Sequence, residues 1–490
     1  MQQPPSQPTA TPGSSASPGQ SGQSGPADPP GAVDRPGAEA AGVVATVSSL
    51  MPRAKEELAE LVAFRSVADP EQYPRSECEG AAAWVAGALR AEGFQDVAAL
   101  ETPDGTQSVF GFLPGPPGAR TVLLYAHYDV QPPLDEAAWR TPPFELTDGP
   151  DGRWYGRGSA DCKGGFVMHL LALRALRENG GLPVSIKMIV EGSEEQGTGG
   201  LEQYARARPE LLAADTIVIG DGGNFRCGLP TVTASLRGMT LVRVQVDTLE
   251  GNLHSGLFGG VAPDALAALM RTLDSLRDAE GNTVIDGLET GGRWEGMAYP
   301  EEDFRHDAKV LDGVGLIGDG AVADRLWARP AVTVLGIDCP PVVGATPSVH
   351  ASARALVSLR IPPGTDTGQT IGLLVEHLRS HVPWNARVTT EVVGQGQPFS
   401  ADTSSPAYAA MAAALRTAYE GLEMQTAGIG GSIPLCSALG ELYPDAEILL
   451  IGLNEPDARI HAVNESVDPR ELERMAVAEA LFLRTYAQQV

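Results

Sequence analysis

Residues 121–130 read TVLLYAHYDV, and this stretch decides the fold. Thr121–Tyr125 is a run of apolar, β-rich residues without polar alternation, as a strand buried on both faces requires. His127 and Asp129 stand just beyond it. The arrangement recurs: Ser185–Val190 (SIKMIV), Thr216–Ile219 (TIVI) and Glu447–Ile451 (EILLI) are further continuous runs. Glu194 and Glu195 follow the first of these, Asp221 the second, and His461 comes in the loop after the third. A helical pattern fills Gly165–Arg177, another spans Glu79–Glu92 and stops at Gly93, and a last one runs from Pro469 to the end. This alternation predicts an α/β fold: a mixed, mostly parallel sheet flanked by helices, with ligands at the carboxyl ends of its strands.

The middle of the chain has a different period. Leu241–Asp247 (LVRVQVD), Ala353–Ile361 (ARALVSLRI) and Arg387–Val393 (RVTTEVV) alternate apolar and polar residues, as strands with one wet face do. Helical patterns lie near Pro263–Arg277 and Thr367–His381. We therefore expect a smaller α+β domain at 237–384, inserted into a larger one made of 41–236 and 385–490. Residues 1–40, rich in Pro, Gly, Ser and Gln, read as a disordered tail, because they offer too little apolar surface to offset chain entropy.

Bulk properties exclude several classes. A chain of 490 residues exceeds one ordinary core, which agrees with two domains. No uninterrupted apolar stretch reaches the roughly 18 residues of a membrane span, and the opening segment has neither the basic nor the apolar part of a secretory signal. A net charge of −27 argues against nucleic acid, whose phosphates need clustered Lys and Arg. Five scattered cysteines without CxxC spacing fit reduced thiols in the cytoplasm better than disulfides or a thiolate zinc site.

The residues after the strands carry the chemistry. Taken singly each is ordinary: strand-end aspartates usually cap turns, Glu pairs usually lie on solvated helices, and a lone histidine such as His461 is commonly structural. Their coincidence at one sheet edge is not ordinary, since crowded carboxylates repel unless a cation neutralises them. Two histidines with several carboxylates, and no cysteine ligand, suit a hydrolytic zinc, manganese or cobalt centre.

The motifs HYDVQP (127–132), YGRGSADCKGG (155–165), EGSEEQG (191–197), LHSGLFGG (253–260), GGSIP (430–434) and HAVNE (461–465) occur in this order. Over residues 50–490 the chain resembles the aminoacylase/carnosinase superfamily of co-catalytic metallopeptidases, most closely its dipeptidase branch. The resemblance implies two divalent metal ions, zinc first, with manganese or cobalt as alternatives. One ion would be held by His127 and Asp221, the second by Glu195 and His461, and Asp161 would bridge them. It further implies that Glu194 is the general base, that Asp129 orients His127, and that His254 reaches the active site of the partner in a homodimer. Arg360 and the Gly430, Gly431, Ser432 turn would receive the substrate carboxylate, and the inserted domain would serve as lid and dimerisation unit.

Two departures from the family pattern stand out. Val349-His350 replaces a common Ile-Pro, which bears on local substrate contacts, and Cys162 follows the bridging aspartate, where we expect a packed free thiol. The expected activity is hydrolysis of a small peptide, with no nucleic acid or membrane partner. An N-acyl-amino-acid deacylase or desuccinylase would use the same metals. A non-catalytic relative is disfavoured, because Glu194 and all five presumed ligands are present.

Overall fold

The computed structural model describes residues 35–431 and 433–488. The four continuous apolar runs become the strands Thr121–His127, Ser185–Glu191, Thr216–Ile219 and Glu447–Leu450. They lie parallel to one another at the centre of a nine-stranded sheet. The lack of polar alternation has a plain cause. Along Thr121–His127, Val122, Leu124 and Ala126 enter the core on one face while Leu123 and Tyr125 enter the core on the other.

Helices cover both faces. Arg35–Val62, Arg75–Ala91, Lys163–Glu178, Pro406–Ala418 and Pro469–Tyr486 pack on the first, and Gly200–Ala207 with Pro434–Leu442 on the second. The antiparallel strands Gln95–Glu101 and Gln107–Leu113 finish one edge. Thr231–Leu236 lies toward the other edge, flanked by Phe399–Ser400 and Gln425–Ile429. This is the mixed, mostly parallel sheet between helices that the sequence predicts.

A separate four-stranded antiparallel sheet has the order Ala331–Asp338, Ser352–Ile361, Gly238–Asp247, Arg387–Gly396. Here period two is visible directly: Val242, Val244 and Val246 are buried and Arg243 is exposed. Helices Ala265–Asp274 and Thr367–Ser380 cover the apolar face. The strand Arg387–Gly396 lies past the expected boundary at 384, yet it pairs with Gly238–Asp247, so the smaller sheet draws on residues the sequence reading left outside it. Of the tail expected over 1–40, residues 1–34 fall outside the described residues. Arg35 opens a 28-residue helix that the sequence reading did not identify, with Val43 and Val47 fully buried. Among the described residues, no helix is long and apolar enough to cross a membrane.

The carboxyl ends of the parallel strands converge on one edge, and glycine permits the closeness. A β-carbon on Gly452 would stand 2.2 Å from the Gly222 carbonyl oxygen, so no side chain fits where the loops after Glu447–Leu450 and Thr216–Ile219 meet.

Candidate metal centre

His127 is the last residue of its strand and is fully buried. Its Nε2 lies 3.1 Å from Asp161 Oδ1 and 3.4 Å from Asp221 Oδ1. Asp161, in the loop before helix Lys163–Glu178, turns its other oxygen to His461, whose Nε2 is 3.0 Å from Oδ2. That same Nε2 is 3.1 Å from Glu195 Oε2. One carboxylate thus stands between two histidines, with Asp221 on the first side and Glu195 on the second. The five residues are spread over more than three hundred positions of sequence, and the sheet edge brings them together.

The electrostatics fit a cation-binding donor set. Burial opposes the Asp161 charge, but hydrogen bonds from His127 and His461 hold its carboxyl well below the usual range. Burial pushes Asp221 up to about 6 against the pull of His127. Hydrogen bonds to Asp161 and Glu195 lift His461 to about 10. Burial disfavours a charged His127, yet the negative charge of Asp221 beside it carries the imidazole well above 6.5. Divalent ions would accept these nitrogen and oxygen donors, and their charge would offset the crowded carboxylates.

Asp129 is also fully buried, but its carboxylate does something the sequence did not indicate. Oδ1 accepts the backbone N–H of Glu194 at 3.1 Å and Oδ2 that of Glu195 at 3.0 Å. His127 Nδ1 lies 3.0 Å from the Asp129 carbonyl oxygen and 3.4 Å from Oδ1. One residue therefore sets both the imidazole and the loop bearing the two glutamates.

Glu194 faces the cleft beside Asp161 and Asp221. Burial, and then the Asp221 charge, push its carboxyl well above the usual range. The thiol of Cys162 is buried and donates to the Gly220 carbonyl oxygen at 3.4 Å. Its sulfur lies near donors of His127 and Asp221, but burial holds the thiol well above its ordinary pKa, which opposes thiolate ligation.

Several contributors escaped the sequence reading. Gln131 Nε2 donates to Glu195 Oε2 at 2.8 Å. Glu465, inside the HAVNE motif, accepts the Ala160 and Asp161 amides at 3.1 Å each and pairs with buried Arg157 at 2.6 Å. It ties the His461 loop to the Asp161 loop; its place in a motif was the available signal. A cleft of about 510 Å³ opens over the cluster. Phe225, Tyr299 and Trp327 wall it, with Phe225 edge-on to Tyr299 at 4.7 Å and Tyr299 stacked on Trp327 at 5.8 Å. These aromatics are too scattered in sequence to form a pattern.

The remaining expected residues divide. Gly430 and Gly431 line this cleft, whereas Ser432 lies outside the described residues. Arg360, half-buried near the end of Ser352–Ile361, stands opposite Met239. His254 sits exposed on the two-residue strand Leu253–His254, where its Nδ1 accepts the Gly256 amide at 3.1 Å. It does not line the cleft of its own chain. A further group, Asp286 with His377 and His381, is metal-like in composition only. His377 Nδ1 already accepts the Asp286 amide at 3.1 Å and Nε2 faces Ser275, so neither ring nitrogen is free to ligate.

The model of peptidase family M20/M25/M40 matches residues 123–485. A cysteinylglycine-S-conjugate dipeptidase of Corynebacterium striatum is 46% identical over 436 residues, which cover 88% of this chain and 95% of that protein. A Cys-Gly metallodipeptidase of Candida albicans is 27% identical, covering 86% and 92%. The crystal structure of human carnosine dipeptidase 1 superposes with a TM-score of 0.77 at 26% identity, covering 92% of this chain and 99% of that one.

Proposed function

The chain belongs to peptidase family M20/M25/M40, and we propose that it is a metal-dependent dipeptidase working with two divalent ions. His127 and Asp221 would hold one ion, Glu195 and His461 the other, and Asp161 both. The observation that carries this reading is the split of Asp161, one oxygen 3.1 Å from His127 and the other 3.0 Å from His461. Zinc suits these nitrogen and oxygen donors; manganese and cobalt are accommodated by the same set. When bound, the ions would polarise the scissile carbonyl and acidify the attacking water.

The chain's own residues do the rest. Glu194, at the cleft and outside the ligand set, takes the proton released by water and passes it to the leaving amine. Asp129 holds His127 and the Glu194–Glu195 loop in register. Arg360 and the Gly430–Gly431 turn receive the free carboxylate of the substrate, for which a guanidinium's paired donors are suited. His254, remote from its own cleft, serves the partner's site in a homodimer and stabilises the oxyanion there.

The names of the relatives support a dipeptide. The apolar wall of Phe225, Tyr299 and Trp327 supports one with a bulky apolar side chain, such as an S-substituted cysteinyl residue. Five unpaired thiols support a reducing compartment, the cytoplasm. The test is removal of metal by a chelator and reloading with zinc, manganese or cobalt, assayed on unblocked dipeptides and on their N-acetyl counterparts. We expect activity to vanish and return, with the free-amine substrates preferred. Equal or better turnover of N-acetyl or N-succinyl amino acids would make the chain a deacylase, and activity that survives metal removal would refute the mechanism.

A further inference from the structure

A second cavity, of about 670 Å³, lies among the loops that join helix Ala265–Asp274 to strand Ala331–Asp338. It is distinct from the cleft over the metal cluster. The two share Leu326 as a wall, whereas Asp161, Glu194, Arg360 and Gly430 do not line the second. Its volume is that of a small-molecule site, for which about 300–1,000 Å³ is usual. The walls are of two kinds. Val284, Phe304, Val314, Ile317 and Val322 make one side apolar, and Val314 and Ile317 are exposed. Arg237, Arg277, Arg325 and Arg329 bring four guanidiniums, against the two carboxylates of Asp278 and Asp319.

Those carboxylates are already engaged. Asp319 lies 3.4 Å from Arg329, which also faces Asp324 at 3.7 Å. Asp278 closes its own turn, accepting the Glu280 and Asn282 amides at 3.1 and 2.8 Å and Asn282 Nδ2 at 2.9 Å. The chain has 62 acidic residues to 35 basic ones, yet none of the described carboxylates pairs with Arg237, Arg277 or Arg325. Their bonds go to carbonyl oxygens instead. Arg325 Nη1 donates to Ile317 at 2.7 Å and Gly318 at 3.0 Å, Arg277 Nη1 to Gly281 at 2.9 Å, and Arg237 Nη1 to Arg329 at 3.3 Å. Carbonyls orient a guanidinium without neutralising it. Nε–H of both Arg237 and Arg325 is buried without an acceptor. Cations held in this way are costly unless an anion compensates them.

We propose that this cavity binds an amphipathic organic anion, a carboxylate on an apolar chain, separately from the substrate. The unpaired guanidiniums meet the charge, and the wall of Val284, Val314 and Ile317 takes the chain. A dicarboxylate or a bare phosphate would leave that wall unused, and a neutral apolar ligand would leave the cations uncompensated. The site stands whether or not the chain cleaves dipeptides, because no residue of the metal cluster enters it.

The test is calorimetric titration of the metal-loaded, full-length protein with octanoate, octanamide and acetate. Octanoate should bind once per chain. The other two should bind about tenfold more weakly or worse, since octanamide lacks the charge and acetate the apolar chain. Arg325→Met should weaken octanoate by roughly ten- to hundredfold, as loss of a charged hydrogen-bonding contact does. Arg325 also holds the Ile317–Gly318 carbonyls, so Val314→Asp, at an exposed position of the apolar wall, carries the test if Arg325→Met does not fold. It should weaken octanoate by setting a like charge in the path of the chain, and leave kcat/KM for a dipeptide unchanged. Octanoate bound as tightly by both variants as by the wild type would place it elsewhere, on the metal ions for example, and overturn the proposal. Equal affinity for octanoate and octanamide would overturn it as well, and so would no binding to the wild type, which would leave the arginines as staples of the loops.

Discussion

Asp129→Asn tests how much of the centre depends on a residue that touches neither presumed ion. The carboxylate accepts two backbone amides, from Glu194 at 3.1 Å and Glu195 at 3.0 Å, in a fully buried setting. Asparagine keeps the shape but offers one acceptor oxygen and one NH2 group. One loop amide then faces another donor. Losing a charge-assisted hydrogen bond costs about 1.5–3 kcal/mol and a stranded buried N–H about 1–3 kcal/mol; because these overlap, we expect a net loss of about 2–4 kcal/mol. The same change loosens His127, whose Nδ1 lies 3.4 Å from Oδ1, and outer partners of this kind are worth about 10–100-fold in metal affinity. Denaturant unfolding of the metal-free protein reads the first effect, and zinc titration against a competing chelator reads the second. A variant that unfolds at the wild-type midpoint and binds zinc with wild-type affinity would refute the organising role of Asp129.

Glu194→Gln should reduce turnover by about a hundredfold to ten-thousandfold, the usual range for a general base, with metal content intact; loss of both ions would instead make Glu194 a ligand. If His254 serves the partner's site in a dimer, mixing two inactive proteins, His254→Ala and Glu194→Gln, under subunit exchange should restore activity, because one site of each mixed dimer would then be complete; demonstrated heterodimers without activity would exclude the cross-subunit role. Away from the site, buried His169 Nδ1 lies 2.8 Å from Glu479 Oε2. Burial opposes protonation of His169, but Glu479 raises its pKa above the unfolded value. The stabilisation is therefore fully present below about pH 6.5 and declines as pH rises through the folded value. Glu479→Gln should destabilise most near pH 6 and progressively less above it, and a pH-independent difference in unfolding midpoint would contradict the charged pair.

Local pattern was enough to read much of the fold. A strand's side chains alternate between faces by backbone geometry alone, so an unbroken apolar run such as TVLLY reports burial on both sides, and LVRVQVD reports burial on one. The residues just beyond such a strand are equally local in sequence, which is why His127, Glu194, Glu195 and Asp221 could be named in advance. The helix Arg35–Val62 was not legible, because it abuts a Pro- and Gly-rich segment and contains Pro52, both signals against a helix. The strand Arg387–Gly396 is legible as a strand, but its sheet is not, since pairing is a property of two segments about 140 residues apart.

The sequence by itself determined the layer pattern, the kinds of donor available and their order along the chain, because propensity and periodicity act over a few residues. Tertiary structure alone decided which atoms meet. It turned Asp161 toward two histidines, spent Asp129 on the amides of the Glu194–Glu195 loop, and used Glu465 to join loops some three hundred residues apart. It also left Arg237 buried, with no ion pair among the described residues, and set it against Gly430. Such contacts depend on positions within a few tenths of an ångström, which are set by the packing of whole strands and helices and leave no periodic trace in the residues themselves.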